Sequence, residues 1–502
     1  MPTLDWIGKD KVINHHKDVP YKVLERKYSF DESGMHKEDI HSNNMIIHGD
    51  NLEALKSFLP QYEGKIKCIY IDPPYNTGNE GWIYNDNVND PKIKKWLGEV
   101  VGKEGEDLSR HDKWLCMMYP RLVLLQKLLA EDGAIFISID DNEHANLLLV
   151  CNEIFGSNNF IQDIIWNKRV SPARDAKFFS TDHEYILVYS KNKESLTTHF
   201  LPRTEKNNSY YKNPDNDPRG PWNSAAYTCN KSRDERPNLY YPITNPYTGE
   251  KIFPKESAVW AYSEETYQQH VRDNLLYWGV NGEAKQPRKK AFLSEVGDVV
   301  PRSVWSHSDV GSTQKATMEN NTIFNMRAFS YPKVSTLVER IIQIASDKDS
   351  IVLDSFAGSG TTAHAVLNMN KSDGGNRKFI LVEMGDYADT ITAERVKRVI
   401  NGYGEGKNAV EGTGGNFSYY ELGNPLFMQD GTINDEVDIT EVRKYVWYTE
   451  TNGIEYKEDI QEKYFLGSYN DTAYDFYYEK DRVTILDYEF LTSVHKKEQT
   501  YV

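Results

Sequence analysis

Cysteine is scarce in this 502-residue chain: Cys68, Cys116, Cys151 and Cys229 lie far apart and form no CxxC pair. That excludes a disulfide framework or a cysteine zinc site, and the four read as small buried residues in a reducing compartment. Long apolar runs are missing too. The longest candidates, around Leu122–Ala130 and Ile351–Leu353, fall far short of the roughly 20 residues that cross a bilayer. The N-terminal stretch MPTLDWIGKDKV has no apolar core of the kind a signal peptide needs. A soluble, cytoplasmic protein with no membrane partner is expected. His15-His16 has no further ligand at a sensible spacing, so no metal is expected. Positive charge is in deficit, with 59 Lys+Arg against 75 Asp+Glu for a net charge of -16. Taken in bulk, that figure argues against nucleic acid, because phosphate binding requires clustered cations.

Large rings, in contrast, are plentiful. An aromatic share of 12%, with 33 Tyr and 10 Trp, excludes a disordered chain. At about 150 residues per domain the length accommodates roughly three domains. Residues 1–44 are mixed and charged without a sustained period and read as an N-terminal arm. From Met45 apolar runs alternate with amphipathic stretches. Met45–Ile47 reads as a strand, Asp50 caps a helix through Leu59, and Ile69–Ile71 is a strand ending at Asp72. Trp114–Leu129 is a long helix stopped near Asp132-Gly133, followed by a strand Ala134–Ile139 and a helix Asn142–Phe155. The alternation predicts an α/β fold with a mostly parallel sheet covered by helices on both faces. It spans 45–190, breaks over 191–331, and resumes over 332–401. The interruption is rich in Asn, Pro, Tyr and Trp and predicts an inserted module of short strands and loops. A Gly-rich stretch, 402–415, reads as a linker, and the acidic, aromatic 416–502 as a small C-terminal α+β domain.

Two segments carry chemistry. The first is Asp72-Pro73-Pro74-Tyr75, with Asn76-Thr77-Gly78 behind it, at the end of a predicted strand. Ligands of open α/β sheets sit beyond the carboxyl ends of strands. The prolines fix the backbone and remove two N–H groups, leaving carbonyl acceptors beside one carboxylate and one ring. Such a loop suits a planar amine: its two hydrogens go to Asp72 and a proline carbonyl, and its ring stacks on Tyr75. The second segment is Val352-Leu353-Asp354-Ser355-Phe356-Ala357-Gly358-Ser359-Gly360-Thr361-Thr362, a strand running through a Gly-rich turn into a helix. Small residues there let a cofactor approach the helix N-terminus. A phosphate-cradling P-loop requires Gly-Lys-Ser/Thr, and Thr361 stands where the lysine would be. A dinucleotide fingerprint is compatible in spacing, with Ala363 at its last position. Glu383, ending the next strand, stands where a ribose-binding carboxylate belongs in any adenosine site.

DPPY followed much later by FAGSGTT resembles the amino-methyltransferases of DNA, which take the methyl group from S-adenosylmethionine (AdoMet). The order of catalytic loop, inserted recognition region and cofactor loop resembles their β class. Further motifs are similar to the modification subunit of type III restriction–modification systems: Trp6-Ile7-Gly8-Lys9, His111-Asp112-Lys113-Trp114, Ile137-Ser138-Ile139-Asp140-Asp141-Asn142-Glu143 and Tyr419-Tyr420-Glu421-Leu422-Gly423. The resemblance implies a Rossmann-like methyltransferase sheet with an inserted target-recognition domain. It implies transfer to the N6 amine of an adenine flipped out of duplex DNA, because the family's adenine enzymes show Asp at the first catalytic position. Asp72, Pro73, Pro74 and Tyr75 would be catalytic. Phe356, Gly358, Gly360 and Thr361 would line the cofactor, Glu383 would hold its ribose, and Asp354 would sit near its methionine end. Lys333, in Tyr331-Pro332-Lys333-Val334, falls in a cofactor motif where Val334 replaces the usual proline. A homodimer and an ATP-dependent restriction subunit are implied as partners. The same chemistry on cytosine N4, RNA or a glutamine side chain stays open, as does a recognition scaffold without turnover.

The inserted region interleaves rings such as Trp222, Tyr227, Tyr240, Trp260 and Trp278 with basic residues. Arg233, Arg236 and the patch Arg288-Lys289-Lys290, with Asn76, are the candidate DNA contacts. The alternative for the rings is that they form the core of a loop-rich module. Resolved by region, Ile165–Val334 carries 24 Lys+Arg against 19 Asp+Glu, and Glu405–Val502 carries 9 against 20. The expected reading face is thus mildly basic on an acidic body, and the bulk charge does not exclude DNA.

Overall fold

The computed structural model describes residues 3–77, 107–174, 176–451, 456, 463–494 and 500–502. The chain divides into two compact units, a larger one of Met1–His199 with Arg302–Val502 and a smaller one of Phe200–Pro301.

An eleven-stranded sheet organises the larger unit. Its strands are β1 (Lys22–Asp31), β2 (Gly34–His36), β3 (Met45–His48), β4 (Ile66–Ile71), β5 (Leu129–Ile139), β6 (Phe160–Asn167), β7 (His183–Ser190), β8 (Val304–Trp305), β9 (Ile351–Asp354), β10 (Lys378–Glu383) and β11 (Asn416–Pro425). The spatial order is β8-β6-β7-β5-β4-β9-β10-β3-β11-β1-β2. From β5 to β11 every pairing is parallel. All six residues of β4, IKCIYI, are buried, which requires cover on both faces. The helices α1 (Asn51–Tyr62), α2 (Asp107–Leu128), α3 (His144–Cys151), α4 (Thr313–Phe324), α5 (Ser335–Ala345), α6 (Thr361–Asp373), α7 (Glu394–Asn401) and α8 (Ile439–Thr451) belong to this unit. One apolar core includes Ile47, Leu55 and Phe58, then Ile69 and Ile71, Trp114, Leu122 and Leu125, with Leu353 and Val382 from the later strands. None of the described helices is long and apolar enough to cross a membrane.

Local chemistry fixes the ends of these elements. Asp50 caps α1 by accepting from the amides of Leu52 (2.8 Å) and Glu53 (3.4 Å). Buried Arg121 of α2 donates to Asn51 Oδ1 (2.5 Å) and pairs with Asp50 (3.4 Å), locking α2 to the start of α1. Pairing of β9 with β4, Val352 beside Cys68 and Leu353 beside Ile69, then sets two distant sequence segments side by side.

The chain ends differ from their sequence reading. Residues 22–31, read as part of an arm, form β1 inside the sheet, and 416–425, read as the start of a separate domain, form β11 between β1 and β3. Antiparallel β1 and β11 meet through stacked Tyr28 and Tyr419 (5.0 Å) and the Ser29–Ser418 hydroxyl pair (2.8 Å). Each strand is incomplete without the other, so neither shows a periodic signal on its own. Residues 302–331, assigned from sequence to the insertion, belong to the larger unit and supply β8 and α4.

The smaller unit is built from strands of two to five residues and short helices, the longest being Glu264–Arg272, capped by Ser263. Its core is aromatic, with Tyr227, Tyr241, Trp260, Tyr267 and Trp278 around Ile243. Most of the rings interleaved with cations in the sequence are therefore packing residues.

Candidate active site

Asp72 leaves the carboxyl end of β4, and Ser355–Gly360 leaves the carboxyl end of neighbouring, parallel β9. The two loops share one edge of the sheet, which is where open α/β sheets bind ligands. Asp72 Oδ1 accepts from Lys333 Nζ (2.8 Å) and lies 2.9 Å from the Tyr75 hydroxyl. That hydroxyl also lies 3.0 Å from Glu184 Oε2 and accepts from Lys333 Nζ (2.8 Å). Its one proton therefore serves one carboxylate at a time. Glu184, at the start of β7, receives a second ammonium from Lys168 (2.9 Å) and is 3.3 Å from Lys333. Two carboxylates and two ammonium groups thus close a neutral cluster around Tyr75, with Lys333 Nζ also over the Tyr75 ring (4.8 Å).

The loop is held from behind. Trp114 Nε1 donates to the Pro74 carbonyl (2.7 Å). Asn76 is buried at φ 60 and donates to Arg110 O (3.3 Å) and to Glu143. Glu143, fully buried, also bonds His111 Nδ1 (2.7 Å) and Asn146 Nδ2 (2.8 Å). Positive φ is a conformation that Asn tolerates better than most residues, and it turns the chain away after Tyr75.

The charges perturb one another. Burial pushes the Asp72 carboxyl above its usual range, with the Lys333 charge acting against the shift and Glu184 reinforcing it. Burial acts on Glu184 in the same sense, but Lys333 and Lys168 outweigh it and hold that carboxyl below its usual range. For Lys333 burial favours loss of the proton, yet Asp72 and Glu184 together keep it protonated above the ordinary lysine range.

Along the second loop Gly358 and Gly360 have φ 51 and φ 81. A Cβ on Gly360 would sit 2.9 Å from the Thr392 carbonyl oxygen, so the close approach there demands glycine. Thr392 belongs to a π-helical turn, Ala388–Ala393, and its hydroxyl donates to Gly358 O (2.6 Å). Such turns often occur at functional sites. Asp354 accepts from Phe356 N (3.0 Å) and Thr362 Oγ1 (2.5 Å), and burial pushes its carboxyl up to about 7 against those bonds. Glu383 accepts from the amides of Gly358 (2.7 Å) and Gly385 (2.8 Å); burial raises its carboxyl too. Phe356 is buried in the core, and the N-terminus of α6 at Thr361 has no side-chain cap. Behind the loop, fully buried Arg395 donates to Ser359 Oγ (2.9 Å) and Thr361 Oγ1 (2.8 Å) and pairs with Glu319 of α4 (2.7 Å).

Several sequence expectations are repositioned. Lys333, expected at the cofactor, has its ammonium on Asp72, while its carbonyl accepts from Thr361 Oγ1 (3.2 Å) and so ties the two loops together. Asn76, expected to touch DNA, is buried, and its Nδ2 is committed to Arg110 O and Glu143. Lys290, expected on a basic patch, is 2% exposed and bridges Asp215 (2.5 Å) and Asp217 (2.8 Å). On its strand it shares a face with buried Phe292 and points opposite to Lys289, so period two turns it inward. Arg233, Arg236 and Arg288 are exposed. Arg288 donates to Ser224 Oγ (2.8 Å), and half-buried Lys289 lies 5.1 Å from the Tyr262 ring centroid. Asp140 caps a turn at Asn142 N (2.9 Å). Glu184, Lys168, Trp114, Glu143 and Arg395 were missed. Trp114 and Glu143 stand inside quoted motifs without a role assigned to them, and Glu184 shows only as an acidic residue opening the apolar run Tyr185–Tyr189.

Residues 66–394, well over half of the chain, match the DNA methylase family model. The chain belongs to the DNA methylase family. Among relatives of this chain, the type III restriction-modification enzyme StyLTI Mod subunit of Salmonella typhimurium is 34% identical over 424 residues, 79% of this chain and 62% of that protein. The EcoPI Mod subunit of Escherichia phage P1 is 32% identical over 418 residues, 76% and 63% of the two chains. The type II methyltransferase M.KpnI of Klebsiella pneumoniae is 33% identical over 361 residues, 68% and 81%. The chain spans a little under two thirds of the Mod subunits' length. The family match covers both loops of the sheet edge, from β4 to the start of α7.

Proposed function

We propose that this chain is an AdoMet-dependent DNA methyltransferase acting on the N6 amine of adenine, as the modification and recognition subunit of a type III restriction–modification system. The observation that carries the reading is the juxtaposition of Asp72-Pro73-Pro74-Tyr75 with Asp354–Thr361 on one sheet edge. The second loop suits AdoMet: two glycines at positive φ, an uncapped helix start, two buried carboxyls, and a buried Ser355 hydroxyl with no partner among the described residues. Gly358, Gly360 and Thr361 would line the cofactor, with Phe356 as their apolar backing. Glu383 would take the ribose hydroxyls and Asp354 would face the methionine end. Bound AdoMet supplies an electrophilic methyl group on a sulfonium.

The adenine amine is a weak nucleophile because its lone pair is delocalised into the ring. Acceptance of its two hydrogens by Asp72 and a proline carbonyl favours the pyramidal form that attacks. Trp114 engages Pro74 O, so the reading assigns this role to Pro73. Tyr75 would stack on the flipped base. Lys333 keeps Asp72 ionised in its buried setting, and its ammonium yields the carboxylate to the incoming amine. Positive charge developing on N6 is then met by Asp72, which takes the released proton on its way to water. The curated names of the relatives support the type III assignment; a homodimer, an ATP-dependent restriction subunit and a cytoplasmic location follow from it as proposals.

Incubation of the full chain with unmodified duplex DNA and methyl-labelled AdoMet, followed by nucleoside analysis, tests the reading. Label in N6-methyladenine supports it. Label in N4-methylcytosine moves the substrate, and DNA binding without label leaves a recognition scaffold.

A further inference from the structure

We propose that the loop between β6 and β7, residues 168–182, is a wedge that enters duplex DNA, with Phe178 and Phe179 filling the stack that the flipped base vacates. The proposal rests on the DNA methyltransferase reading above and names a contact surface for it.

Place comes first. β7 runs antiparallel to both β5 and β6, with Tyr185 opposite Ile139 and His183 opposite Asn167. The loop therefore leaves the sheet at the same edge as Asp72. Its two roots are part of the charge cluster: Lys168 pairs with Glu184 (2.9 Å), and Glu184 meets the Tyr75 hydroxyl (3.0 Å).

Composition is the second observation. Phe178 is 83% and Phe179 is 93% exposed, two adjacent rings held out in water beside Val170 at 52%. Arg169, Arg174 and Lys177 are exposed around them. Over 168–182 the sequence carries four cations against two acids, in a chain whose net charge is -16. Exposed rings among cations fit a polyanion with aromatic faces to offer, and a duplex opened at one base supplies both.

Build is the third. The connection is 15 residues long, where antiparallel strands usually need about 2–5. It is nonetheless braced at its base. Asp182 O accepts from Lys168 N (2.9 Å) and Arg169 N (3.4 Å), and Ser180 Oγ bridges Ala173 N (2.7 Å) to Asp182 Oδ1 (2.5 Å). The tip is thereby presented from a fixed support, as a side chain that enters a stack requires.

The test compares the wild-type chain with the Phe178→Ala/Phe179→Ala double variant on two duplexes bearing the site found by labelling. One has the target adenine normally paired; the other has an abasic residue opposite it. On the paired duplex the variant is expected to lose roughly tenfold to a hundredfold in single-turnover rate, the scale of one or two lost stacking contacts. AdoMet binding and melting temperature should stay at wild-type values, and the abasic partner should restore most of the rate. Phe178→Trp/Phe179→Trp should retain activity on both. Equal rates for wild type and double variant on the paired duplex overturn the wedge, as does a loss that the abasic partner leaves untouched. A wild-type chain that methylates no DNA overturns the functional reading and the wedge with it, whereas an active wild type with an unaffected variant overturns the wedge alone.

Discussion

The Lys333 ammonium lies against Asp72, Glu184 and the Tyr75 hydroxyl at once, and Lys168 completes the balance. Removing it by Lys333→Met leaves two carboxylates facing one half-buried phenol with only Lys168 nearby. Like charges so placed resist joint ionisation, so the acid limb of the methylation rate profile should move to higher pH, and Lys333→Arg should restore most of the shift. Identical profiles for Lys333→Met and wild type would show that the ammonium does not hold Asp72 ionised. Asp354 gives a second titration. Its carboxyl stands at about 7 in the folded chain, against about 3.9 for an unperturbed aspartate. The folded state keeps a proton that the unfolded state releases, so this contribution is full below about 4 and lost as pH rises through about 7. Asp354→Asn has no such loss. Its urea midpoint relative to wild type should improve between about pH 5 and pH 8; parallel midpoints would mean the carboxyl does not titrate there. The places of Asp72, Tyr75 and the glycines in the candidate site were legible because each belongs to a local motif. Glu184 was not, because it meets Tyr75 from 109 residues away in sequence.

Among the elements, the segment joining β9 to α6 carries the narrowest tolerance. Gly360→Ala must place a Cβ 2.9 Å from Thr392 O at φ 81, and neither the π turn nor the loop can retreat without breaking the Thr392–Gly358 bond. Gly358→Ala meets only the edge of the Phe329 ring at 3.4 Å. The Gly360 substitution should therefore cost more than the ~1–2 kcal/mol of a left-handed alanine and weaken AdoMet binding severely, with Gly358→Ala the milder of the two. Titration of AdoMet against both variants checks the order, and a reversed order would contradict the packing. The central strands and helices were readable from their apolar runs, since β4 and β9 are buried on both faces. β1 and β11 were not: each has one partly exposed face and depends on a partner almost four hundred residues away. A pattern within one segment carries no record of such pairing.

At the scale of the whole molecule, charge is distributed by role. Lys290 is a structural cation, so Lys290→Met should leave Asp215 and Asp217 short of a partner. Because Asp217 keeps Arg219 (2.7 Å) and Asp215 keeps Trp222 Nε1 (2.8 Å), the substitution should lower stability by less than the ~3–5 kcal/mol of a fully broken buried pair. Arg288→Gln and Lys289→Gln should leave stability unchanged and each reduce the salt slope of DNA binding by about one. Melting curves and salt titrations separate the two behaviours, and a salt slope that falls with Lys290→Met alone would reverse the assignment. The bulk charge of -16 concealed this division, because composition counts a buried lysine and an exposed arginine alike. The central claim is that the fold joins a catalytic loop and a cofactor loop, far apart in sequence, into one methyl-transfer site with separable tasks. The most direct measurement takes Asp72→Ala and wild type in parallel through AdoMet binding and single-turnover transfer to duplex DNA. The account predicts near wild-type AdoMet affinity with transfer lost by a factor on the order of 10²–10³ or more. Equal loss of both, or retained transfer, would contradict it.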